Sequence, residues 1–441
     1  MDVISALIIL GIIMVLGFIG NYIFNRTQIP SIIWLLLFGL VVGAFFKIES
    51  LQVTYPDLLI NISGFFGAIA IVIILFDGGI NTDIYQLFKG APRGLLLTVC
   101  GFCLSLFVTI FIIVSLDAAG LINIQGDTLI VGSVLGAIIG GTSSPIVIPI
   151  VYRLKNLQEK TKMVSSIESI LTDPLCIVVI FAIYYMVFVV EEINIGIGIG
   201  NLVKTFSVGI VLGLILGIIW LFIMNKLRKE QFSYVLTLAV VFLVYSFTAL
   251  IVGIDEGGEG AGAIACLLFG LVLGNGKKIL KMIKYEGKGF EMDAETKHFH
   301  SLTSFVIRTF FFVYLGMIVS FQKIDFIIIG IIILLALLGI RYLAVYFSTY
   351  KAGFEKDDIQ IMTVIMPRGL AAAILAIKFG DDFVNKYMPG NDGFFRDVAF
   401  VVILGTAIIT TVGVSIICHY EMKKIKECEK QKIDNHINGA N

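Results

Sequence analysis

The residues best suited to chemistry in this chain lie together at Ser165-Ser166-Ile167-Glu168-Ser169-Ile170-Leu171-Thr172-Asp173-Pro174. Two carboxylates, five residues apart, stand at the head of a mostly apolar run from Pro174 to Val190. Read as one helix over 163–190, the segment carries Glu168 and Asp173 inside a bilayer. A charge at that depth costs roughly 2.5–3.5 kcal/mol even on the lenient insertion scale, so such residues are rare and mark functional sites. At helical spacing, Ser166, Ser169 and Asp173 share one face, and Ser165, Glu168 and Thr172 an adjacent one. Hydroxyls beside carboxylates suit a dehydrated small cation or a proton. A competing reading makes 163–172 an interfacial first turn and lets only 174–190 cross. Ile167, Ile170 and Leu171 extend the apolar pattern upstream and weigh against it.

The elements that hold this stretch are membrane helices. Hydrophobic residues make up 58% of the chain, mean hydropathy is +0.99, and charged residues are 15%, against about 25% in soluble domains. The 45 glycines fit closely packed membrane helices. Of the six cysteines, Cys100, Cys103, Cys176 and Cys266 fall in apolar spans, Cys418 at a span end and Cys428 in the tail. That pattern predicts no disulfide and no structural metal site. There is no nucleotide loop, zinc motif or nucleophile elbow, so no enzyme, cofactor or nucleic-acid partner is expected. The N-terminal apolar run lacks a basic stretch before it and reads as a retained span.

Segments of about 20 apolar residues predict thirteen spans: 3–24, 30–47, 58–77, 94–116, 127–151, 163–190, 202–224, 232–253, 259–275, 301–320, 326–349, 357–379 and 394–418. Eighteen Lys and Arg fall in odd-numbered loops and six in even-numbered loops and span ends. The positive-inside rule then places the odd loops and the basic tail in the cytoplasm and the N-terminus outside. The chain is thus expected to be a multi-pass cell-membrane protein in contact with lipid. Arg308, Arg341 and Arg368 remain inside spans. A central seventh span leaves six-span halves of opposite orientation, the inverted-repeat logic of secondary transporters, whose sites are built from discontinuous helices. The fifth span of each half carries the expected interruption. In the first it is Gly140-Gly141-Thr142-Ser143-Ser144-Pro145, and in the second Met366-Pro367-Arg368-Gly369. Pro145, Pro367 and Arg368 are therefore assigned to the helix crossing. Proline removes a donor and opens the helix there.

These residues resemble the monovalent cation:proton antiporter family, and within it the NhaP-type sodium/proton exchangers. Glu168-Ser169-x-x-Thr172-Asp173 is similar to the family's Glu-Ser-x-x-Asn-Asp motif. Phe76-Asp77-Gly78-Gly79, Gly339-Ile340-Arg341 and Pro367-Arg368-Gly369-Leu370 also fit. The resemblance implies an all-α fold of the NhaA-like antiporter type, with crossed discontinuous helices and a homodimer. It divides the chain into scaffold helices (1–93), core helices (94–190), a linking helix (191–231), scaffold and dimerisation helices (232–325), core helices (326–418) and a tail (419–441). It implies that Asp173 carries cation and proton in turn, and that Arg341 pairs with Glu168. Two positions depart from the pattern. Thr172 replaces the family's Asn, and Ser143-Ser144-Pro145 replaces Thr-Asp-Pro, so a carboxylate is missing and ion preference stays open.

Such a mechanism needs one group that binds a proton or a hard cation but never both. A partly desolvated carboxylate does this, since burial moves its titration toward physiological pH. Hard cations take oxygen ligands. Asp173 with Ser169, Thr172, Thr142 or Ser143, and a water, is the expected Na⁺ shell. Asp77 and Ser144 are assigned to the pathway, with a helix-end role for Asp77 as the plainer alternative. Asp255, Glu256 and Glu259 read as a solvated outer turn, His298 and His300 as passive loop histidines, and the basic loop 277–297 as a topology determinant or lipid contact. The function expected is Na⁺ (or Li⁺) for H⁺ exchange, with K⁺/H⁺ exchange as runner-up and a cation channel as the alternative from another class.

Overall fold

The structure is a computed structural model that describes residues 3–27, 29–46, 56–154, 156–227, 230, 232–282, 294–319 and 323–438. Lys47, Lys155, Arg228, Lys229, and Lys284 and Lys288 of the basic loop lie outside the described residues. The described chain is helical throughout: α1 (Val3–Thr27), α2 (Ser31–Phe46), α3 (Pro56–Ile80), α4 (Ile84–Ala118), α5 (Thr128–Ile139), α6 (Ser144–Arg153), α7 (Glu159–Tyr184), α8 (Ile195–Lys226), α9 (Ser233–Val252), α10 (Glu259–Gly274), α11 (Gly276–Met282), α12 (Ala294–Ile318), α13 (Ile324–Thr349), α14 (Lys356–Val364), α15 (Leu370–Tyr387) and α16 (Phe394–Asn438).

Among the described residues, eight helices are long and apolar enough to cross a bilayer alone, and nine spans result if α5 and α6, bent by 42°, count as one. Several bounds differ from those the hydropathy predicts. α4 begins ten residues before 94 and carries Pro92 inside it, and α8 begins at Ile195 rather than 202. Polar and glycine residues at those ends hide the helix from a hydropathy window. α16 runs on through the tail to Asn438. α10 is the shortest expected span and proves deeply enclosed, with residues 260–267 buried throughout.

Two bundles of contacts organise the molecule. α4 packs on α5, α7 and α13, and α16 packs on α13, α14 and α15. Separately, α10 packs on α3, α8 and α9, and α2 packs on α12 and α1. Along the junction α7 meets α10 and α3, and α15 meets α3 and α12. Close approach in the second bundle depends on small residues. A Cβ at Gly213 of α8 would lie 2.6 Å from the Ala265 carbonyl oxygen of α10, so only glycine allows this separation.

Both interrupted helices open where proline and glycine predict. α5 ends at Ile139 and α6 starts at Ser144; α14 ends at Val364 and α15 starts at Leu370. Non-helical backbone runs through each gap, which frees carbonyls and amides inside the protein, where they must find partners.

Candidate ion-binding site at the helix crossing

α7 brings four polar side chains into the interior: Glu168, Ser169, Thr172 and Asp173 are all buried, Asp173 with 7% of its surface exposed. Pro174 follows within the same helix and cannot donate to the carbonyl one turn back. Thr172 is tied to the first broken helix. Its Oγ1 accepts from the Thr142 amide (3.0 Å) and donates to the Thr142 carbonyl (3.1 Å). Gly141 sits against the same turn; a Cβ there would be 2.8 Å from Cys176 Sγ. The structure thus brings Thr142 and Thr172 together. Ser169 Oγ instead donates to the Ser166 carbonyl of its own helix (3.0 Å). Asp173 makes no hydrogen bond or ion pair among the described residues.

The two broken helices touch at their gaps. The Ser143 amide donates to the Pro367 carbonyl (2.8 Å). Arg368 Nη1 donates to the Gly140 carbonyl at the end of α5 (2.7 Å), and its Nη2 donates to Ser105 Oγ of α4 (3.2 Å). The guanidinium therefore compensates the negative end of a half-helix. The freed amides of the second gap are met by α16: Met366 N donates to Thr410 Oγ1 (3.2 Å) and Arg368 N to Thr406 Oγ1 (3.0 Å). Pro145 lies in the first turn of α6, and buried Ser144 precedes it.

Arg341 of α13 closes the arrangement. Both of its Nη atoms donate to the Glu168 carboxylate, one at 2.9 Å, so the pair is bidentate. Its Nε donates to the Met362 carbonyl and Nη2 to the Ile365 carbonyl, both at 3.0 Å. One guanidinium thus neutralises a buried carboxylate and the C-terminal carbonyls of α14.

Asp77 is not brought to this cluster. Its Oδ1 accepts from Asn81 Nδ2 (2.9 Å) and from Ser301 Oγ (3.2 Å), which joins α3 to α12. Two expectations need correction. His300 is not an exposed loop residue: it lies in α12 with 1% exposure and meets Phe76 edge-on with ring centroids 5.0 Å apart, because α12 begins before the apolar stretch does. Glu259 is not in a solvated turn; it opens α10, pairs with Lys378 of α15 and accepts from Tyr245 (3.1 Å). Sequence reasoning missed Ser105, Thr406 and Thr410. Their signal was hydroxyls inside apolar spans, with Thr406 and Thr410 one helical turn apart.

The crossing is tight enough to predict a steric effect. A Cβ at Gly369 would collide with the Ser143 side chain, whereas nothing lies within 4 Å of one at Gly339. Gly369→Ala is expected to lower the thermal midpoint, by the equivalent of about 1–3 kcal/mol of overpacking, while Gly339→Ala leaves it unchanged or raised. Thermal unfolding in detergent checks this.

Residues 10–419 match the family of the transmembrane sodium/hydrogen exchangers. Over 430 residues, covering 95% of this chain and 94% of the relative, the chain is 26% identical to Na(+)/H(+) antiporter 1 of Methanocaldococcus jannaschii. It is 23% identical to the K(+)/H(+) antiporter NhaP of Alkalimonas amylolytica, across 94% of this chain and 66% of that one. The fold is similar to that of the solved sodium proton antiporter MjNhaP1 from Methanocaldococcus jannaschii, with a TM-score of 0.74 at 24% identity, covering 95% of this chain and 99% of that one. With a family match over nearly its whole length and the same fold, this multi-pass membrane chain belongs to the transmembrane sodium/hydrogen exchanger family.

Proposed function

We propose that this protein exchanges Na⁺ for H⁺ across the cell membrane by competition at Asp173. The observation that carries the reading is a buried carboxylate with no hydrogen-bond or ion-pair partner among the described residues, next in sequence to Thr172, whose hydroxyl is bonded to the first broken helix at Thr142. A proton or a hard cation can satisfy that carboxylate, but not both at once. Family membership supports the same chemistry. Thr142, Ser143, Ser169 and Thr172 supply neutral oxygens around it, and Ser144 and Asp77 stay assigned to the pathway. In this reading the chain has thirteen crossings in two inverted six-helix repeats, with the N-terminus outside and the C-terminus cytoplasmic. Spans 4–6 and 11–13 form a core that moves against a scaffold through which two copies dimerise. The protein is a carrier rather than an enzyme. K⁺ for H⁺ exchange is the second reading, because Ser144 leaves the site one carboxylate short of the family pattern. Reconstituted vesicles with a pH dye decide. Saturable collapse of a proton gradient is expected on Na⁺ or Li⁺ addition, and K⁺ run in parallel ranks the ions. Current without proton exchange would indicate a channel.

One cation should move per proton. Arg341 neutralises Glu168 and Thr172 carries no charge, so Asp173 is the single free carboxylate of the cluster. Both loaded forms then carry the same charge, and the roughly 2.3 kcal/mol per 100 mV that acts on a moving elementary charge is absent. With a K⁺ ionophore setting the potential across Na⁺-loaded vesicles, the rate is expected not to change. A rate or steady pH gradient that follows the voltage overturns the count.

A further inference from the structure

A cavity of about 200 Å³ lies between α1, α2 and α12 on one side and α6 and α15 on the other. Its polar lining is Asn21, Ser31, Ser143, Arg308 and Thr309, with no Asp or Glu among the described residues. Among the described residues Arg308 forms no ion pair; its Nε donates only to the Ser304 carbonyl within its own helix (3.3 Å). Asp77 is within electrostatic reach of Arg308, but its carboxylate is engaged by Asn81 and Ser301. Thr309 is 2% exposed, and its Oγ1 has no hydrogen-bond partner among the described residues. The first turns of both α6 and α15 border the same space, at Pro145 and Leu370, and neither N-cap residue caps its helix with a side chain. Half-helix N-termini are partly positive. At the edge, exposed Arg153 stacks over Phe24, a lining residue, at 4.4 Å. Apart from Asp77, which reaches Arg308 from outside the lining, the charged and dipolar features at this cavity favour negative charge, although it adjoins the crossing proposed to bind a cation.

We infer that this cavity is an anion site for a phosphate-type oxyanion, either free phosphate or a phospholipid headgroup. An arginine fork matches phosphate oxygens, and the amide and hydroxyls around it add donors. The volume is many times the roughly 10–15 Å³ of cavity volume that one water needs, and more than a lone halide needs. The occupant sits between the two bundles. On the moving-core reading proposed above, it holds them together and slows exchange. The site itself does not depend on that reading.

The test is thermal unfolding of the purified protein, sodium-free, with N-methyl-glucamine phosphate against the chloride salt at equal ionic strength and pH. A parallel arm compares phosphatidylglycerol with phosphatidylcholine. The expected result is a saturating rise of a few degrees that is lost in Arg308→Gln and reduced in Thr309→Val. A saturating response to the acidic lipid alone assigns the headgroup as the source, and one to phosphate assigns the free anion. Should Arg308→Gln not fold, Thr309→Val carries the comparison. A rise that is equal in the variants, a rise that does not saturate, or no response to either ligand overturns the site. Vesicles of phosphatidylcholine with internal phosphate then report the slowing, and its absence beside intact binding would count against the moving-core reading alone.

Discussion

Asp173→Asn vesicles are expected to show no cation-driven proton movement above the empty-vesicle baseline, while the purified variant stays folded. The two halves of this prediction have different causes. Loss of exchange follows because an amide neither releases a proton nor neutralises a cation. Retained folding follows because the Asp173 carboxylate has no hydrogen-bond or ion-pair partner among the described residues to lose. Desolvating such a group is unfavourable, so its neutral isostere should unfold at the same temperature or higher. Exchange that survives in Asp173→Asn would remove the residue from the mechanism. A variant that fails to fold would mean the carboxylate is structural.

Glu168→Ala and Arg341→Ala are expected to have the largest effect on stability. Arg341 holds Glu168 through two hydrogen bonds and the end of α14 through two more. Removing either partner leaves an unpaired charge inside the protein, which costs roughly 3–5 kcal/mol for buried pairs. The two losses share one interaction, so the double variant should lose less than the sum. Denaturation in detergent measures all three. Thermal neutrality of either single variant would contradict the structural role. Arg341→Ala should be the worse of the two, because it also leaves the Met362 and Ile365 carbonyls without a donor.

The contrast between these carboxylates shows what could be read from sequence. Both stand in one apolar helix, and their burial followed from the cost of placing charge in a bilayer. Both helix breaks were legible too, because proline and glycine disrupt backbone bonding in any context. Where the freed groups find partners was not legible. Thr406 and Thr410 of α16 meet the amides of a gap some forty residues away, and Ser105 meets Arg368 from α4. A single sequence records such hydroxyls only as polar residues in apolar helices. The ends of α4 and α8 and the depth of His300 escaped for another reason. A hydropathy window sees transfer energy, whereas a helix continues wherever neighbouring helices cover it.

The central claim is that one carboxylate accepts either a proton or a cation. The most direct measurement is proton release when Na⁺ is added to weakly buffered protein in detergent, at a pH where the site is protonated. The account predicts about one proton released per protomer, saturating with Na⁺ and absent in Asp173→Asn. Raising the pH until the site is ionised should remove the release but keep the binding. Saturable Na⁺ binding with no proton released at any pH, or the same release from Asp173→Asn, would contradict it.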